Sequence, residues 1–266
     1  MGIFWGERVM VMNGILLYSA GNSPAMQFAC RNLEDHGFAF APDPAPDVTH
    51  MLLPVPSFCP DGRIRGGGIL EHILSDLPER LTVIGGNLSH PALQGYNTWD
   101  LLHDPLYTAQ NASITADCAI LVAREKMAAV WQRCSVLVIG WGRIGKCLAQ
   151  QLKQLGANVT VAARKQQDLA IAQALGYGAV HTENIERTLP RYHVIFNTVP
   201  APMLNAQMCK KCDPDCILIE LASTPGIEGN NVISALALPG RFAPESSGKL
   251  IAGTVIRLLK GKENVL

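Results

Sequence analysis

Three glycines at a fixed spacing carry the most legible chemistry in this chain: Gly140-Trp141-Gly142-Arg143-Ile144-Gly145. In such a pattern the first glycine makes a tight turn and the second lets the backbone approach a pyrophosphate. The third lets a helix pack closely on a strand. Context gives the pattern its weight. The apolar run Val136 to Ile139 leads into the turn, and Ile144, Leu148, Leu152 and Leu155 follow on one helical stripe that Gly156 ends. A second strand-like run, Asn158 to Ala162, completes the order strand, turn, helix, strand. The helix N-terminus then presents its partial positive charge to the phosphates. A nicotinamide-dinucleotide site is expected from about Cys134 on.

The end of the second strand bears on the choice of cofactor. An NAD site normally places Asp or Glu there to accept from the ribose 2′-hydroxyl. This chain has Ala162-Ala163-Arg164-Lys165. A guanidinium offers paired donors to a 2′-phosphate, so NADP(H) is favoured, with Arg164 the main contact and Lys165 its helper. NAD remains the alternative, with both residues merely opening a solvated helix. Two further strand ends meet the same crevice, Asn197-Thr198-Val199-Pro200 and the run reaching Ser223. Asn197 and Ser223 are expected beside the nicotinamide ribose or the substrate. Either could instead satisfy its own turn.

Positioning these groups requires an α/β scaffold, and the chain's patterning fits one. Apolar β-rich runs alternate with helical patterns throughout its 266 residues. The expectation is two doubly wound domains, Rossmann-like or flavodoxin-like. Residues 1–110 form a substrate-side domain, and a helix over 111–131, capped by Asn111, links it to the dinucleotide-binding domain at 132–244. A last helix over 245–266 packs back on the first domain or the linker. Lys+Arg and Asp+Glu are both 22, so the net charge is zero, which points to no nucleic-acid or anionic-membrane partner. No apolar run reaches the roughly 18 residues of a membrane-spanning helix. Residues 1–12 lack the order of a signal peptide, and Gly6 stands where a myristoylation site wants Ser or Thr. A short arm, or an upstream start codon with the fold beginning near Met12, and a cytoplasmic protein are expected. Eight cysteines make no disulfide framework. Cys209, Cys212 and Cys216 have a metal-like spacing, but no fourth ligand lies nearby and Cys216 opens an apolar run, so no metal is expected.

Several motifs together carry a resemblance beyond the fold. They are the run Asn111 to Ala119, the glycine turn, Val161 to Arg164, Asn197 to Pro200, Leu221 to Gly226 and Leu238 to Gly248. In this order the chain resembles the A-subunit family of dipicolinate synthase, over most of its length. The resemblance implies a soluble NADP-dependent enzyme of sporulating bacteria working with a flavoprotein-like B subunit. It oxidises a dihydrodipicolinate-type ring, a small dicarboxylate from the lysine pathway, to dipicolinate. Homo-oligomerisation is left open. Carried over by motif, Gly140, Gly142, Arg143, Gly145 and Arg164 match cofactor positions, and Trp141, Ile144, Ala163, Lys165, Thr198, Val199 and Pro200 belong to the same loops. Thr115, Asp117, Pro239 and Gly240 match substrate-side motifs. Ser246 and Ser247 precede the last helix, where hydroxyls and exposed N–H groups could hold a carboxylate or cap the helix. With Asn197 they are the candidate catalytic residues. Where the family has Gly-Gly-Asp-x-Arg after the first strand, this chain has Ala20-Gly21-Asn22-Ser23-Pro24. Arg63 or Arg65, in the loop Pro60 to Gly68, is the substitute cation for a carboxylate, unless that loop is simply solvated. A dehydrogenase for another small carboxylate and a nucleotide-binding protein without turnover are the rival readings.

Overall fold

The computed structural model describes residues 14–263; the arm expected over residues 1–12 lies outside them. In chain order the elements are β1 (Leu16–Ser19), α1 (Pro24–Asp35), β2 (Ala39–Phe40), β3 (His50–Leu52), α2 (Leu70–Leu74), β4 (Thr82–Gly85), β5 (Asn97–Asp100) and α3 (Pro105–Lys126). Then come β6 (Ser135–Ile139), α4 (Arg143–Gln154), β7 (Asn158–Ala163), α5 (Gln166–Ala174), β8 (Gly178–His181) and β9 (Val194–Asn197). The chain finishes with α6 (Ala206–Cys209), β10 (Ile217–Glu220), β11 (Val232–Ser234), α7 (Leu238–Phe242) and α8 (Pro244–Glu263). It divides into two compact units, one running to Gln110 and resuming at Ala243, the other spanning Asn111–Phe242. Both are α/β units built on parallel sheets.

The first unit has strand order β2-β1-β3-β4-β5, all parallel. Side chains alternate across a strand, so each strand feeds two cores. Leu17, Leu52 and Ile84 join Leu33 of α1 and Ile251 and Val255 of α8 on one face. Met51 and Val83 join Leu70 and Leu74 of α2 on the other. Burial on both faces explains why these strands are continuous apolar runs. Helix α1 starts where Ser23 accepts the Met26 N–H at 3.3 Å and Pro24 takes the first helical position. Helix α8 lies along α1, close enough that a Cβ at Gly248 would come within 2.5 Å of the Ala25 carbonyl oxygen.

The second unit has order β11-β10-β9-β6-β7-β8, again all parallel. Numbered within the unit this is 3-2-1-4-5-6 read from one edge, the Rossmann order, whose direction of winding reverses between β6 and β9. Helix α4 starts at that reversal. Val136, Leu137, Val138 and Ile139 are fully buried, as is the facing run Val194 to Asn197.

Two boundaries differ from the sequence-based expectation. Helix α3 begins at Pro105, not after Asn111, because Asp104 caps it: its carboxylate accepts the Tyr107 N–H at 2.8 Å, with Pro105 next in line. It ends at Lys126, where Arg124 donates to the Met127 carbonyl at 3.0 Å, so Trp131 lies beyond it. Edge strands β5 and β11 were unanticipated, since Asn97-Thr98-Trp99-Asp100 and Val232-Ile233-Ser234 are short and only partly apolar.

Candidate functional site

The glycine turn sits at the carboxyl end of β6, held from both sides. Gly140 has φ +107° and donates its N–H to the Ala162 carbonyl at 2.9 Å. Thr198, following β9, sends both its N–H and its hydroxyl to the Ile139 carbonyl, each at 2.9 Å. There is no room for side chains at two of the three glycines. A Cβ on Gly140 would strike the Thr198 hydroxyl and lie 2.9 Å from Val199, and one on Gly145 would strike the Gly140 carbonyl. Gly142, the residue before α4, is different: a Cβ there would meet nothing within 4 Å. The space over the first turn of α4 is open, and a side chain at position 142 would intrude on it. That cradle fits an anionic group against the helix N-terminus, the requirement for a dinucleotide pyrophosphate. Arg143 is exposed at the first helical position and Ile144 is half-buried. The Trp141 indole is buried and packs edge-on against Tyr177 at 5.8 Å.

At the end of β7, Ala163 is buried while Arg164 and Lys165 are exposed. The strand end itself carries two positive charges and no carboxylate over Ala162 to Lys165. Cationic residues at that position are suited to a phosphate on the ribose.

Asn197 does not present a free amide. It is fully buried at the end of β9, its Nδ2 donating to the Val199 carbonyl at 3.0 Å and to Glu220 at 2.9 and 3.0 Å, its Oδ1 accepting the Val199 N–H at 3.1 Å. The side chain braces the end of β9 against β10. Its partner Glu220, absent from the sequence-derived site, is 3% exposed at the end of β10. One carboxylate oxygen accepts the Ala222 N–H at 2.9 Å, and the other accepts those of Gly226 and Ile227 at 2.7 and 3.0 Å. A buried carboxylate is tolerable only with such a set of donors. It shapes the loops after β9 and β10, leaving Pro200 and Ser223 exposed and Thr198 and Val199 half-buried. The available sequence signal was an acid inside the apolar run Ile217-Leu218-Ile219-Glu220.

The remaining candidates scatter. Thr115 is buried mid-helix and its hydroxyl donates back to the Asn111 carbonyl at 2.7 Å, while Asp117 is exposed on α3. Pro239 and Gly240 lie within α7. In the first unit Arg63 is spent on Asp61, Nε to carboxylate at 2.8 Å, both exposed. Arg65 fares differently: its Nε donates to the Phe58 carbonyl at 3.0 Å, and its neighbour Gly66 accepts the Asn22 N–H at 3.2 Å, so it borders the loop after β1. Ser246 is exposed in the first turn of α8; Ser247 is 5% exposed with its hydroxyl unpartnered. The adjacent Gly248 abuts Ala25, which brings the start of α8 to the first turn of α1. Cys212 and Cys216 hydrogen-bond each other, which lowers the Cys212 thiol and raises that of Cys216 relative to an ordinary cysteine. Among the described residues no group of three or more His, Cys, Asp or Glu is arranged to hold a metal, and no helix is long and apolar enough to cross a membrane.

Comparison with known proteins agrees with this geometry. Residues 109–239 match the family described as D-isomer specific 2-hydroxyacid dehydrogenase, NAD binding domain. The dipicolinate synthase A-subunit of Bacillus subtilis (strain 168) is 29% identical over 157 residues, 56% of this chain and 53% of that protein. The match thus spans about half the length of that curated relative. Among solved structures, the dipicolinate synthase A-subunit from Bacillus halodurans superposes with a TM-score of 0.81 at 21% identity, covering 94% of this chain and 99% of the other. The corresponding structure of dipicolinate synthase from Bacillus subtilis gives the same TM-score and identity, covering 96% and 99%. At that identity the superpositions establish a common fold. Residues 109–239 are therefore similar to the NAD-binding domain of the D-isomer specific 2-hydroxyacid dehydrogenases, in a chain whose fold resembles that of the dipicolinate synthase A-subunit.

Proposed function

We propose that the protein is an NADP-dependent oxidoreductase of the dipicolinate synthase A-subunit type, acting in the cytoplasm during sporulation. It oxidises a dihydrodipicolinate-type ring to dipicolinate together with a flavoprotein-like second subunit. The observation that carries the reading is the open cradle at Gly142, set at the winding reversal of a Rossmann sheet and neighboured by the exposed Arg164-Lys165 pair. The substrate rests on the curated relative's name.

In this reading the ring loses a hydride and a proton, and both of its carboxylates must be held. A bound NADP+ supplies the hydride acceptor. Because aromatisation drives the reaction, the chain's task is mainly orientation. The first N–H groups of α4 face the pyrophosphate across Gly142, and Arg164 with Lys165 takes the 2′-phosphate. Glu220 and Asn197 fix the loops that carry Pro200 and Ser223 beside the nicotinamide ribose. In the first unit Arg65, rather than the ion-paired Arg63, and Ser246 at the start of α8 are the carboxylate partners. A dehydrogenase for a different small carboxylate is the second reading, supported by the loop Ala20 to Pro24, which lacks an arginine.

The test is direct. Purified protein, with and without a flavoprotein-like partner, is given the freshly made lysine-pathway intermediate and NADP+, and dipicolinate is followed by its absorbance. Product in either mixture supports the assignment. Its absence from both, with the protein folded, rules the substrate out.

A further inference from the structure

We propose that His181 is a specificity-determining positioning residue, holding the Arg164 loop in the shape that receives a ribose 2′-phosphate. The inference rests on the NADP reading and adds to it a residue outside the glycine and arginine motifs.

Strand β8 runs beside β7, with His181 directly opposite Ala163. From there the ring reaches past the strand end to the carbonyl oxygen of Arg164, 2.9 Å from Nε2. A carbonyl can only accept, so Nε2 carries the hydrogen. On the other side of the ring Nδ1 stands 3.3 Å from the Glu183 N–H, which donates to it. Both nitrogens are thus engaged, Nδ1 also lying 3.6 Å from a Glu183 carboxylate oxygen, and the side chain is only 20% exposed. The imidazole is a strut between the loop after β7 and the turn after β8.

Little else holds the Arg164–Lys165 peptide on its upstream side. Lys165 precedes α5 without a side-chain cap bond, and its carbonyl serves Asp168 and Leu169 further on. A trans peptide is planar with its C=O and N–H antiparallel, so pinning the Arg164 carbonyl towards β8 points the Lys165 N–H away from β8 within the same plane. The strut therefore fixes both the starting direction of the guanidinium and the neighbouring backbone donor. Without it, ordering that loop would have to be repeated at each binding event. The cost would fall selectively. The pyrophosphate contacts at Gly142 would be common to both cofactors, whereas the charge of the Arg164 guanidinium would be matched only by a 2′-phosphate.

The experiment compares the dissociation constants of NADP+ and NAD+ for the full chain and for Arg164→Ala, His181→Phe and His181→Gln. Glutamine can keep a donor towards the Arg164 carbonyl; phenylalanine keeps the bulk without it. His181→Phe is expected to weaken NADP+ by about fivefold, the worth of one ordinary hydrogen bond, with NAD+ unchanged, and His181→Gln to restore the preference. In the cofactor-free protein, amide exchange over residues 164–168 should quicken in His181→Phe and not in His181→Gln. If Arg164→Ala removes the preference but the two His181 variants behave alike, or both cofactors weaken together, the His181 inference is wrong and the NADP reading stands. If Arg164→Ala leaves the preference unchanged, the NADP reading itself fails and takes this inference with it.

Discussion

Glu220 shows how much of this site is held by a group that need never touch a ligand. Its carboxylate gathers three backbone N–H groups and the Asn197 amide at distances of 2.7 to 3.0 Å. Replacing it by alanine leaves those donors buried and unpaired, and is expected to destabilise the second unit by about 3–5 kcal/mol. Glu220→Gln should be milder but still harmful, because its amide group must face another donor. Denaturant unfolding of both variants measures the difference; equal stability to the parent chain would deny Glu220 its bracing role. Arg164 makes the opposite kind of claim. It is exposed, so Arg164→Ala should leave unfolding unchanged while weakening NADP+ by about tenfold or more, the worth of a charged hydrogen bond. The glycine turn and Arg164 were legible because their meaning is local. Glu220 and His181 were not, since their partners are defined only once separate strands lie side by side. The bonding of Asn197 to Glu220 was hidden for the same reason: a polar residue at a strand end looks the same whether it faces a ligand or a buried acid.

Among the elements, α3 and α8 carry the most exposed predictions. Asp104 caps α3 and also pairs with Arg257 of α8 at 2.7 Å. Partial burial alone would raise its carboxyl, but the hydrogen bonds from Arg257 and Tyr107 outweigh that and hold it below the usual range. A depressed folded value means that the pair's contribution is complete above the unfolded value, about 3.9, and is lost as pH falls through the lower folded one. Asp104→Asn keeps a capping side chain but not the charge, so its stability should fall less steeply than the parent's below about pH 4. Thermal unfolding followed across that range reads it out, and parallel curves would contradict the account. Gly248 supplies a packing test. A methyl group there must displace the Ala25 carbonyl or the Phe28 side chain, so Gly248→Ala is expected to cost the first unit about 1–3 kcal/mol. Asp104-Pro105 was a readable start signal, yet the next turn shows no apolar stripe; Leu106 is 59% exposed. Periodicity therefore placed the start of the helix nearly two turns too late.

Over the whole molecule, two parallel sheets of different winding share one chain that leaves the first unit within α3 and returns to it with α8. The alternation of apolar runs and helical stripes made that α/β plan readable. The short edge strands β5 and β11 escaped because they have almost no apolar run of their own. The dinucleotide half is also where the family match falls, over residues 109–239. The central claim is that this unit binds NADP(H) in preference to NAD(H). The most direct measurement is thermal unfolding of the intact chain with each oxidised cofactor at equal concentration. At a hundredfold excess over its dissociation constant NADP+ should add about 2.7 kcal/mol of stability, and NAD+ at that concentration markedly less. Equal stabilisation by the two, or by neither, would contradict it.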